Sequence, residues 1–141
     1  MTSLKTARQI AASPAAIFAA IQDPSRLARW WGPNGFSNRF DRFEFKPGGK
    51  WVFSMIGPDG TSYANEAVFA AVATDHQVVI EHVSPPHFVL TITLTSSPGG
   101  TLVTWEQTFS DAAVAQALRP MCEPANEQNL DRLSAELGRA S

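Results

Sequence analysis

Residues 13–35 read SPAAIFAAIQDPSRLARWWGPNG, and they decide the fold because they hold the only helical signals in the first two-thirds of the chain. Ser13 offers a capping hydroxyl. Pro14 stands at the first helical position, where its missing N–H costs nothing and its fixed φ suits the helix. Ile17, Phe18 and Ile21 then recur at helical spacing. Asp23-Pro24 repeats the cap and the proline, opening a second short helix through Leu27, so the two helices form a kinked pair. Trp30-Trp31-Gly32-Pro33 stops the second helix, since Gly accepts left-handed geometry and a residue before Pro is pushed out of the helical region.

On either side of this pair the chain reads as strand and turn. Leu4 to Ile10 alternates as a first strand. From Phe36 an aromatic-rich second strand runs to the Lys46-Pro47-Gly48-Gly49 turn, which returns as a third strand over Lys50 to Met55. Gly57-Pro58-Asp59-Gly60 turns into a fourth strand, Ser62 to Val72. Val78 to Val83, Phe88 to Leu94 and Leu102 to Phe109 follow as strands five to seven, with Ser96-Ser97-Pro98-Gly99-Gly100 the tightest turn signal. A short helix is expected from Asp111 to Leu118, and a longer one from about Pro124, because Pro120 and Pro124 oppose an unbroken helix. Leu130, Leu133 and Leu137 form the stripe of that longer helix, with Cys122 and Asn126 extending it backwards and Gly138 as its stop.

One strand, two helices, six strands and one helix predict an α+β fold in which a seven-stranded antiparallel sheet curves around the terminal helix. The 141 residues form one domain by this reading, long enough to bury a core without staples. With 11 Lys+Arg against 13 Asp+Glu the net charge is -2, which argues against a nucleic-acid partner. No apolar run has the length of a signal peptide or a membrane span, so a cytoplasmic protein is expected. The single Cys122 excludes an internal disulfide and reads as a small core residue. His76, His82 and His87 have no carboxylate at helical ligand spacing, and no serine lies in a GxSxG context. No metal, cofactor or catalytic residue is assigned.

The runs RWWGPNGF (29–36), PGGKWVF (47–53), GPDGTSY (57–63), TWEQTF (104–109) and NEQNLDRL (126–133) together resemble the START-like, polyketide-cyclase-related (SRPBCC) superfamily. Within it they are most similar to the group named after the activators of the heat-shock chaperone ATPase. The resemblance spans nearly the whole chain. It implies the helix-grip fold of the pollen allergens, with an apolar ligand cavity beneath the long helix. Where the group commonly carries a Gly-Trp pair in that helix, this chain has Ala125-Asn126, which puts a polar amide on the cavity side.

Strand alternation gives the inward rows as Trp51, Phe53 and Met55; Val78, Ile80 and His82; Phe88, Leu90, Ile92 and Leu94; and Val103, Trp105, Gln107 and Phe109. Tyr63, Asn65 and Phe69 join them if strand four alternates from Tyr63, and a bulge there would exchange the faces. The candidate ligand site is therefore Trp51, Phe53, Met55, Tyr63, Asn65, His82, Phe88, Trp105, Gln107 and Asn126. Apolar walls with a few amides and one imidazole suit a small hydrophobic or aromatic ligand. The first functional expectation is a binding protein or carrier for such a ligand. The second is a cyclase, dehydratase or hydrolase working in the same cavity with His82 as its general base. The third is a co-chaperone-like interaction domain. A homodimer is left open.

Overall fold

A computed structural model describes residues 2–139. Seven strands form one antiparallel sheet in the order β1-β7-β6-β5-β4-β3-β2, with β1 (Thr2–Ile10) and β2 (Ser37–Phe43) at the two edges. Between them in space lie β3 (Lys50–Ile56), β4 (Ser62–Ala73), β5 (Gln77–His82), β6 (Phe88–Ser97) and β7 (Gly100–Phe109). The expected helix-grip architecture is present. The helices α1 (Pro14–Gln22) and α2 (Pro24–Trp30) follow β1, and the long α3 (Ala112–Arg139) closes the inner face.

The caps form as the residue types dictate. Ser13 Oγ accepts from the Ala16 N–H at 3.1 Å, and Asp23 Oδ1 accepts from the Ser25 N–H at 2.9 Å. Gly49 is required at the β2–β3 turn, because a Cβ there would collide with the Glu44 carbonyl. Consecutive hairpins set the register, placing Phe88 opposite Phe109, Leu90 opposite Gln107 and Ile92 opposite Trp105. Bulges fall between Phe40 and Arg42 and between Phe69 and Ala71. The second bulge lies beyond Asn65, Ala67 and Phe69, so these three keep a common inward face.

One expectation is corrected here: α3 is a single helix that runs through both Pro120 and Pro124. Each proline removes one hydrogen bond, yet both face solvent, where water can satisfy the freed carbonyls. Leu130 and Leu133 are fully buried against the sheet, while Leu137 is half-buried at the rim. The core divides in two. The larger part carries Trp30, Trp51, Trp105, Phe69 and the aliphatic rows, and the smaller gathers Leu4, Phe109 and Ala115 under the start of α3. Cys122 is half-buried at the edge of that smaller part, not within the core.

Candidate functional site: a cavity beneath the long helix

The quoted stretch of helix and loop forms one wall of the site. After α2 the chain turns at Gly32, whose φ of +98° favours glycine and where a Cβ would press on Met55. The loop from Trp31 to Phe36 is cross-linked to α3. Asn129 Oδ1 accepts from the Gly32 N–H at 2.8 Å, and Gln128 Oε1 accepts from the Asn34 N–H at 2.9 Å. Arg132 donates to five backbone carbonyls, those of Arg29, Trp31, Gly32, Pro33 and Phe36, at 2.8 to 3.1 Å. Among the described residues no carboxylate pairs with Arg132, and burial pulls its pKa down from the ordinary value. Loop carbonyls thus take the place of a counter-ion.

A second polar clasp lies one turn further along α3. Glu136, 3% exposed, accepts from Arg29 at 2.7 and 2.9 Å and from Arg26 at 3.1 Å. The bond from Arg29, then that from Arg26, holds its carboxyl below the usual range against the opposing effect of burial. Sequence reasoning missed Asn129, Arg132 and Glu136. The signal was present as polar residues interleaved with Leu130 and Leu133, facing two arginines on α2, but an amphipathic stripe reads such positions as solvent-facing.

Between this wall, the sheet and the first half of α3 lies a cavity of about 260 Å³. Of the residues expected from the sequence, Phe53, Met55, Asn65, His82, Phe88, Trp105, Gln107 and Asn126 line it together. Trp51 and Tyr63 do not. Trp51 is fully buried away from the cavity, stacked on Phe53 at 4.1 Å and Phe69 at 5.7 Å, with Trp31, Phe40 and Phe43 edge-on to it. Tyr63 lies past the mouth, 50% exposed and beside Phe36. Both are on the inward row, so the side was read correctly and the position along the strand was not. Residues the sequence reading did not assign to the lining include Trp31 and Phe36 from the loop and Leu118, Met121 and Cys122 from α3. Met121, 63% exposed, stands at the mouth.

Apart from Asn129, which is tied to Gly32 and Ala125, the polar groups of the wall form two separate sets. Trp105 Nε1 donates to Asn126 Oδ1 at 3.2 Å, and Asn126 Nδ2 donates to Gln107 Oε1 at 3.1 Å. The other set is centred on His82, which stacks on Phe88 at 4.5 Å. Its Nδ1 meets the Pro86 carbonyl at 2.8 Å and its Nε2 meets Asn65 Oδ1 at 2.7 Å. Burial pulls its pKa below the ordinary value and outweighs the opposing backbone hydrogen bonds with Pro86 and Ser84. His82 is therefore neutral at pH 7, and its bond to Asn65 is the one that depends on protonation. Burial pushes the Cys122 thiol up more than its hydrogen bond with Gln107 lowers it, so it stays protonated. Among the described residues no group of three His, Cys, Asp or Glu could hold a metal ion.

The sequence pattern described as Activator of Hsp90 ATPase homolog 1-like protein matches residues 11–138, from the end of β1 to the end of α3. The chain belongs to that family. No functionally curated protein matches it. Solved structures repeat the fold. A protein from Arthrobacter aurescens is 24% identical, with a TM-score of 0.90 over 97% of this chain and 86% of that one. One from Mycobacterium smegmatis is 25% identical, with a TM-score of 0.85 over 99% and 92%. The AHSA1 protein from Silicibacter pomeroyi is 20% identical, with a TM-score of 0.78 over 99% and 100%. In all of them the likeness spans nearly the whole chain, so the elements that enclose the cavity here are elements of the family fold.

Proposed function

We propose that the protein binds a small, uncharged, mostly apolar molecule in the cavity beneath α3. The observation that carries this reading is the make-up of the wall: aromatic, aliphatic and sulfur side chains, four amides and a neutral imidazole, with no Lys, Arg, Asp or Glu among the described residues. A charged ligand would lose its hydration there and gain no counter-ion. An engineered apolar cavity of roughly 150 Å³ takes up benzene. A volume of about 260 Å³ accordingly suits a two-ring compound or a branched chain of similar bulk. Acid–base chemistry in the same space would have to run through His82, which has no carboxylate beside it in the wall.

The test is a native mass spectrum of the protein purified from its own host, followed by solvent extraction of any adduct. The expected result is a complex with one small neutral molecule, released by the solvent. The protein mass alone, combined with failure to take up added naphthalene, would contradict the reading.

A further inference from the structure

The direction of the hydrogen-bond chain in the cavity wall follows from one atom. An indole N–H donates and cannot accept, so Trp105 Nε1 obliges Asn126 to present Oδ1 to it. Asn126 Nδ2 is then turned toward Gln107, which must answer with Oε1, at 3.1 Å. Gln107 is left with its Nε2 amide as the donor that ends the chain. Gln107 is 7% exposed, and the surface it retains belongs to the cavity. Its one further side-chain hydrogen-bond neighbour among the described residues is the Cys122 thiol, a weak acceptor.

The other amide and imidazole groups of the wall are committed elsewhere. Asn129 spans the Gly32 N–H and the Ala125 carbonyl, Asn65 Nδ2 donates to the Tyr63 carbonyl, and the neutral His82 donates through Nδ1 to the Pro86 carbonyl. A donor at the end of a polarised chain, inside an apolar space, is left without a strong acceptor.

Building on the ligand-binding reading above, we propose that Gln107 sets the specificity of the cavity. The ligand it selects is a neutral molecule whose carbonyl oxygen, a ketone or an amide, accepts from Gln107 Nε2. A hydrocarbon of the same shape fills the cavity but leaves that donor desolvated, with the weak Cys122 thiol as its acceptor. A carboxylate supplies a stronger acceptor but carries a charge into a wall that offers no cation.

The experiment compares 1-tetralone with 1-methylenetetralin, which differ only in C=O against C=CH₂, by calorimetric titration of the wild type, Gln107→Leu and Gln107→Met. The leucine removes the donor. The methionine keeps the length of the side chain and likewise removes its amide donor, so it serves as the second variant should the leucine protein not fold. The expected result is that the ratio of ketone to hydrocarbon affinity falls roughly five- to tenfold in Gln107→Leu, the worth of one net hydrogen bond. In Gln107→Met it falls as far. An unchanged ratio in the variant that folds, with both compounds still bound, overturns the role of Gln107 and leaves the cavity reading standing. Binding of neither compound to the wild type overturns both.

Discussion

At the scale of single residues, the polar groups buried around α3 matter more to the site than its leucines do. Glu136 is enclosed between Arg26 and Arg29, and hydrogen bonds to charged partners are the strong ones. Glu136→Gln is expected to lower the unfolding free energy at pH 7 by about 1.5–3 kcal/mol, the usual worth of a charge-assisted bond. The pH dependence has a definite sign. The folded carboxyl titrates below its unfolded value, so its contribution is present above roughly pH 4.3 and is lost as the pH falls through the folded pKa. Urea denaturation at several pH values should show wild type and variant converging on acidification. A gap that stays constant down to pH 3 would remove Glu136 from this role.

At the scale of elements, Arg132 joins α3 to the loop that ends α2. Lysine in its place keeps the charge, but its three rotatable donors cannot reach five carbonyls held in a fork. Arg132→Lys is expected to speed amide exchange at Gly32 and Asn34 roughly tenfold relative to the central strands, the factor for about 1.4 kcal/mol of local opening. Unchanged exchange there would mean that the bonds from Asn129 and Gln128 hold the loop unaided. Leu133→Ala tests the grip itself. Leu133 is fully buried, so truncation should cost about 2–5 kcal/mol in transfer and cavity energy. A loss below about 0.5 kcal/mol, the range of surface sites, would place the stripe wrongly. The strands and the α1–α2 pair were legible because period-two rows and cap-plus-proline signals are local. The joining of α3 across Pro120 and Pro124 was not, because whether a proline breaks a helix depends on which way the freed carbonyl faces, and that is decided by tertiary structure. Alternation likewise put Trp51 and Tyr63 on the inner face, but it carries no coordinate along the strand. One of them lies past the closed end of the cavity and the other past its mouth.

At the scale of the whole molecule, a seven-stranded sheet and one helix enclose a space whose far end is packed with stacked aromatics and whose near end is left unfilled. Among the described residues no helix is long and apolar enough to cross a membrane. The central claim is that this space receives a small apolar ligand, and the four tryptophans allow it to be tested directly. Trp31 and Trp105 line the cavity, whereas Trp30 and Trp51 do not. The measurement is a titration of ¹⁵N-labelled protein with naphthalene, following the four indole N–H resonances, with that of Trp105 assigned by its loss in Trp105→Phe. Saturable shifts are expected at Trp105 and Trp31, with Trp30 and Trp51 moving little. Four unmoved indole resonances at saturating naphthalene, or shifts confined to backbone amides on the outer face of the sheet, would contradict it.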